Sequence, residues 1–246
     1  MDSSSGFRRV LLIGDSFGTA RQRAGQMSVS EEGTWPRQVE RAVTSSVRIT
    51  ADFKPFRRLV DCVDVVHGHG QVDLLLIQAG IVDCYPRPLP LGPSHSRHTL
   101  MRVARKLIRP VRRGWVNYVH RTAWSTGEAV RAAAFALCRQ TAVRRIGFIT
   151  PTPVCGVEAL RTPGAQEAIF DFNDILREAT AFSENAFVLD LHAELLRIGY
   201  RTCLDPVDSH LNQRGNDVLS RLVLATIGTY LGADAVCPKN DQNLLP

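Results

Sequence analysis

The sequence predicts an α/β domain in which a five-stranded parallel sheet is sandwiched between two layers of helices. Three observations carry this expectation: five short runs rich in apolar, branched residues, helical patterns between successive runs, and 246 residues that are 44% hydrophobic, enough for one substantial core. The runs fall at residues 10–13, 47–50, 74–78, 146–150 and 187–191. They are too short for helices and are read as strands buried on both faces. Helical periodicity follows at 35–43, 56–66, 98–109, 116–141 with a break at Gly127, and 165–182. A last helix carries Val218, Leu219, Leu222, Val223, Ile227 and Tyr230 on one stripe, with Asn212 placed to cap its start. Strand, crossover helix and strand again imply parallel pairing with helices on both sides. No repeat or low-complexity linker divides residues 1–246, which are expected to form one domain, and the aperiodic tail at 233–246 is expected to be flexible.

No apolar run reaches the roughly 20 residues of a membrane-spanning helix. "MDSSSGFRRVLLI" carries no secretory h-region, so a cytoplasmic protein without a transmembrane segment is expected. The six cysteines are scattered without a Cys-x-x-Cys pair, which suggests buried free thiols and neither a disulfide framework nor a zinc site. Net charge is +6, and the excess is local. Seven Arg and Lys residues and no acid lie within 95–113, "HSRHTLMRVARKLIRPVRR". Arg102, Arg105, Lys106 and Arg109 share one face of the helix predicted there, opposite Leu100, Met101, Ala104, Leu107 and Ile108. This basic helical insertion is either a solvated surface or a docking face for an acidic partner or anionic substrate. Nucleic acid is disfavoured as a partner, because no interleaved aromatics or binding motif accompany the charge.

Chemistry concentrates at the two ends of the chain. "VLLIGDSFGTA" at 10–20 ends the first strand in Gly-Asp-Ser. In a parallel sheet ligands bind beyond the carboxyl ends of the strands, so Ser16 stands at that mouth, as either a nucleophile or the cap of a following helix. Near the other end, "LDPVDSHLNQRG" at 204–215 sets Asp205, Asp208 and His210 in a loop before the last helix. A serine becomes nucleophilic when a base takes its proton and a carboxylate orients that base, and all three types are present.

Taken together, "IGDSF", "LLLIQAGIVDC", "PTP" at 151–153, "FNDIL" and "DPVDSHLNQRG" resemble, in order and spacing, the blocks of the SGNH (GDSL-type) hydrolase superfamily. The resemblance spans most of the chain. It implies a flavodoxin-like three-layer α/β/α fold and hydrolysis of an acyl ester or thioester, small, glycan-borne or carrier-bound, through a covalent acyl-enzyme. By position Ser16 is the implied nucleophile and His210 the base and acid; Asp208, in a shorter Asp-x-His spacing similar to that of the polysaccharide O-acetyltransferase relatives, is the favoured orienting acid, with Asp205 as the alternative. An acyltransferase with the same triad and a sugar or other acceptor, or a weakly catalytic binding or scaffold protein, are the other readings. The spacing Asp-x-His departs from the family's Asp-x-x-His because Val207 stands where an acid would be.

The oxyanion hole departs further. Residues 44–66 contain no glycine, and Val82 occupies the usual asparagine position of the Gly-x-Asn-Asp block. Gly80, Asp83 and Arg87 are the oxyanion or substrate-binding candidates, with Lys54 and Arg57 as further cations, while Asp83 suits loop-fixing better than chemistry. His67 and His69 have no third ligand at motif spacing, so a solvated turn is expected there. No cofactor or metal is called for.

Overall fold

The computed structural model describes residues 7–23, 26–85, 125–162 and 164–237. Arg87, the basic insertion at 95–113 with its charges at 97–113, the predicted helix at 98–109 and residues 116–124 lie outside these, as does 238–246.

The first strand, β1 (Arg8–Gly14), is followed by a two-stranded antiparallel hairpin of β2 (Arg21–Arg23) and β3 (Gln26–Val29). Next come α1 (Trp35–Ala42), β4 (Val47–Phe53), α2 (Leu59–His67), β5 (Leu74–Gln78) and the short α3 (Ile81–Cys84). The remaining described strands and α-helices are α4 (Gly127–Cys138), β6 (Ile146–Ile149), α5 (Gly156–Arg161), α6 (Ala165–Ala181), β7 (Ala186–Leu189), α7 (Leu191–Ile198) and α8 (Gln213–Leu231).

The five long strands form one parallel sheet in the order β4-β1-β5-β6-β7. Helix α1 lies against α8, whereas α2 meets α4 and α4 meets α6. The crossover from β1 to β4 runs one way along the sheet and those from β4 onward run the other, so right-handed connections put these groups on opposite faces. Central strands β1, β5 and β6 are buried along their apolar lengths, as expected. The edge strands differ: β7 is only half-buried, and β4 buries Val47 while much of the rest meets solvent. An edge strand has one neighbour and incomplete helix cover, so the expectation of burial on both faces fails there.

Two boundaries moved for identifiable reasons. The helix predicted from 56 starts at Leu59, because Phe56 takes a left-handed conformation (φ 64°) that ends any helix there. Arg58 then serves as N-cap, its N–H donating to Asp61 at 3.0 Å. The expected flexible tail is pinned over its first five residues: Val236 bridges Val43, and Cys237 N–H donates to the Ala42 carbonyl at 2.8 Å. Among the described residues no helix is long and apolar enough to cross a membrane.

The chain reverses direction across the sheet after β1, so the carboxyl ends of β1 and β5 border the switch point where such folds bind ligands. The loop before α8 returns to this edge. It is anchored by Gly156 (φ 53°), which lies against the Pro206 carbonyl while Val157 N–H donates to that oxygen at 3.0 Å. A Cβ at Gly156 would collide with Pro206 O. Gly156→Ala is therefore expected to cost about 2 kcal/mol or more, a Tm loss of several degrees, as measured by thermal unfolding.

Candidate active site

The turn after β1 settles which residue caps and which is free. Asp15, fully buried, accepts from Phe17 N–H at 3.0 Å and so caps the single 3-10 turn Ser16–Gly18. The chain then enters the hairpin, where a longer helix was expected. Ser16 does no capping; its Oγ instead lies 3.0 Å from His210 Nε2. Gly14 is required beneath it, since a Cβ there would come within 2.9 Å of the Gln78 carbonyl and strike the Phe53 ring.

His210 is held from three sides. Its ring stacks on Phe17 with centroids 4.4 Å apart and planes at 16°. Its Nδ1 lies 3.2 Å from both Asp208 Oδ1 and the Asp208 carbonyl. Both are acceptors, so Nδ1 carries the proton and Nε2 presents a lone pair to the Ser16 hydroxyl. The loop that carries the pair is closed by the Leu204–Leu211 bridge, by Asp205 N–H to the His210 carbonyl at 2.7 Å, and by Ser209 N–H to the Asp205 carbonyl at 3.1 Å. Ser209 sits at φ 59° and its Oγ accepts from Cys155 N–H at 2.8 Å, which ties the loop to the end of β6.

Asp205 and Asp208 thus take different places. The Asp205 side chain accepts from Val207 N–H at 2.8 Å and shapes the loop from within. Asp208 faces His210 and is gripped by Arg21, whose Nη1 donates to Oδ1 at 2.8 Å while Nη2 donates to Oδ2. Burial works to raise the Asp208 pKa, but hydrogen bonds from His210 and Arg21 overcome it and hold the carboxyl well below the usual range.

The oxyanion candidates separate in the same way. Gly14 pairs with Gln78, so Gly80 lies across from Ser16 just past the sheet edge. Among the described residues neither the Ser16 nor the Gly80 N–H donates to a partner. Gly80 has φ 125° and packs on the Phe172 ring, leaving no room for a side chain. Asp83, by contrast, is scaffold. Only 1% exposed, it accepts from Leu59 N–H at 2.9 Å and from the Ser125 hydroxyl, so both oxygens are engaged away from a ligand. Arg57 is likewise removed from candidacy, because its buried guanidinium holds the Asp52 carbonyl and carboxylate. Lys54 stays exposed, and its backbone N–H donates to the Gly14 carbonyl at 3.0 Å. Val82 is buried in the core cluster and offers no donor.

Of the histidines outside the site, His67 ends α2 and meets Gln140 Nε2 at 3.1 Å, and buried His192 donates from Nδ1 to the Pro151 carbonyl at 3.1 Å. Among the described residues no group of three His, Cys, Asp or Glu side chains is arranged to hold a metal. Five of the six cysteines are buried and all are free. The residue that sequence reasoning missed is Arg21. It follows Ser16 closely but stands 187 positions from Asp208, and no motif links the two.

These features define a three-layer α/β/α protein with a serine, a histidine and an aspartate meeting at its switch point. Its fold is that of the SGNH hydrolases. The chain superposes on the lipase/acylhydrolase from Enterococcus faecalis with a TM-score of 0.60 at 16% identity, covering 95% of this chain and 100% of that one. For the acetylxylan esterase Axe2 from Geobacillus stearothermophilus the TM-score is 0.57 at 19% identity, with 91% and 95% covered. A protein from Slackia heliotrinireducens described as an SGNH hydrolase gives 0.52 at 13% identity, with 91% and 100% covered. No family model matches the chain, and no curated protein matches it by sequence.

Two buried carboxyls give the site a stability signature. Burial pushes Asp15 up to about 7 and Asp83 up to about 6, in each case against the hydrogen bonds the group accepts. Both bind a proton more tightly folded than unfolded. Their contribution to stability is therefore complete below about pH 4, the ordinary Asp range, and is lost as pH rises through 6 to 7. Asp83→Asn preserves the shape, because its carbonyl can accept from Leu59 N–H and its amide can donate to Ser125. The variant should gain stability relative to wild type between pH 4.5 and 8 in urea unfolding, and parallel pH curves for the two proteins would refute the assignment.

Proposed function

We propose that the chain is a serine-dependent hydrolase of acyl esters in which Ser16, His210 and Asp208 form the catalytic triad. The observation that carries this reading is the 3.0 Å contact from Ser16 Oγ to Nε2 of an imidazole whose other nitrogen faces a carboxylate. The lipase/acylhydrolase and acetylxylan esterase with this fold support an ester substrate, on a small molecule or a glycan. A serine-to-alanine change in the Geobacillus enzyme is described as a catalytic mutant.

In the reaction His210 Nε2 takes the Ser16 proton while Oγ bonds to the acyl carbon. The carbonyl electrons move onto oxygen, which the Ser16 and Gly80 N–H groups receive. Collapse of the tetrahedral intermediate breaks the ester C–O bond, and His210 gives its proton to the departing alkoxide. Water then attacks the acyl-Ser16 with His210 again as base, and collapse of the second tetrahedral intermediate frees the carboxylic acid and restores the serine. Asp208 holds the Nδ1 proton and stabilises the transient imidazolium throughout. With Val82 in place of an amide donor, the hole has two backbone donors, and a missing donor of this kind costs about 10²–10³ in turnover.

A fluorophosphonate probe should label the native protein, and Ser16→Ala should abolish labelling while circular dichroism stays unchanged. Equal labelling of the variant would remove Ser16 from the role. The two aspartates are distinguished by substitution. Asp208→Asn should lower kcat on a short acyl ester by at least about 10²-fold, because the imidazolium loses its counter-charge. Asp205→Asn should cost far less, since an asparagine carbonyl still accepts from Val207 N–H. The opposite ranking in steady-state kinetics would transfer the role to Asp205.

A further inference from the structure

An acid on a surface loop is a weak support for a catalytic imidazole unless something fixes the acid. Asp208 lies between Val207 and left-handed Ser209, and its contact with Nδ1 is long at 3.2 Å. Arg21 supplies what the loop lacks. The two terminal guanidinium nitrogens each donate to a different carboxylate oxygen, and the two side chains retain 21% and 32% of their exposure, so the pair is shielded on most sides. A fork-to-carboxylate pairing of this kind fixes orientation as well as charge. Arg21 is itself held on the hairpin, where it pairs with Val29, which is 3% exposed, and where Ser28 Oγ donates to its carbonyl at 3.3 Å.

We propose that Arg21 is a positioning residue for the His210–Asp208 pair, fixing the carboxylate by both oxygens and thereby setting the orientation and basicity of the imidazole. The proposal rests on the triad reading above. The imidazole faces Ser16 and the Phe17 ring on one side and Asp208 on the other, with buried Asp15 close enough to couple electrostatically. Arg21 is the cation behind Asp208. Its positive charge offsets part of the carboxylate's pull on the imidazolium. Without it, the imidazolium is favoured, and a higher pH is needed before Nε2 can act as a base.

The test is the pH dependence of kcat/KM on p-nitrophenyl acetate for wild type, Arg21→Gln and Arg21→Lys, with fluorophosphonate labelling of each. Arg21→Gln should lose about tenfold or more in kcat with little change in KM, and its acid limb should move up by roughly half a pH unit or more. Arg21→Lys keeps the charge but not the fork, so its kcat should fall while its acid limb stays near that of wild type. A folded Arg21→Gln with the wild-type kcat, or with a reduced kcat and an unmoved acid limb, would overturn the proposal and reduce Arg21 to a structural ion pair. If Arg21→Gln does not fold, Arg21→Lys decides: a lowered kcat supports the proposal and an unchanged one overturns it. A wild type that neither labels nor turns over would refute the triad reading, and the proposal with it. A labelled wild type beside an indifferent Arg21 variant refutes the proposal alone.

Discussion

The hydrogen bond between Ser16 and His210 joins residues 194 positions apart, and much of the structure acts to hold its two ends still. One end is fixed by the central strand. Asp15 N–H donates to the Gln78 carbonyl at 3.1 Å, Lys54 N–H donates to the Gly14 carbonyl at 3.0 Å, and the Asp15 side chain closes the turn. The other end is a loop with no regular structure of its own, and loops of this kind open easily unless tied down. Here the ties come from every direction: Cys155 to Ser209, Val157 to Pro206, Asn212 to Cys203, and Arg21 to Asp208. A displacement of about 1 Å at either end would break a 3.0 Å contact, so the number of ties is matched to the precision the geometry needs.

This rigidity is built partly from groups that oppose folding. Asp15 and Asp83 are both nearly solvent-free, and among the described residues one oxygen of Asp15 has no hydrogen-bond partner. A buried carboxyl whose charged form is desolvated destabilises the native state, yet each caps a turn or helix at the mouth of the site. Asp83 reaches from α3 to the first N–H of α2, so the segments after β4 and β5 are fixed to each other at the carboxyl edge of the sheet. Asp15 does the same for the serine turn. The central apolar strands, with Leu12, Ile13, Leu74, Leu75 and Leu76 all but solvent-free, provide the stability that lets such groups persist.

The parts of this architecture legible in the sequence are those governed by local pattern. Continuous apolar runs marked the central strands, and Asn212 marked the start of α8, where its side chain accepts from Gly215 N–H at 3.1 Å. Ser16 and His210 were legible because a strand terminus and a pre-helix loop are the positions such a fold leads to its switch point. The hairpin was not legible. Its strands are three and four residues long, and Arg21 and Gln22 do not alternate in an apolar pattern. The choice between Ser16 as cap and as nucleophile was also open, because both roles fit Asp-Ser after a strand. Asp15 takes the cap with its buried side chain, which leaves the Ser16 hydroxyl free to meet His210.

Phe56 shows how far tertiary constraint overrides residue type at the rim. A bulky side chain at φ 64° costs about 1–2 kcal/mol relative to ordinary backbone, and the segment from 44 to 66 contains no glycine that could take the conformation freely. The turn keeps this shape because its neighbours are fixed independently. Lys54 is bound to Gly14, Arg57 N–H donates to the Lys54 carbonyl at 3.1 Å, buried Arg57 grips Asp52, and Arg58 is held by Asp61. Four anchors around one strained residue over-determine its backbone, and Phe56 is left 50% exposed beside the strand end that carries the serine turn. Strain concentrated there, in a chain whose central strands are otherwise regular and deeply buried, indicates that the path of this turn is dictated by the mouth of the sheet and not by the preferences of its own sequence.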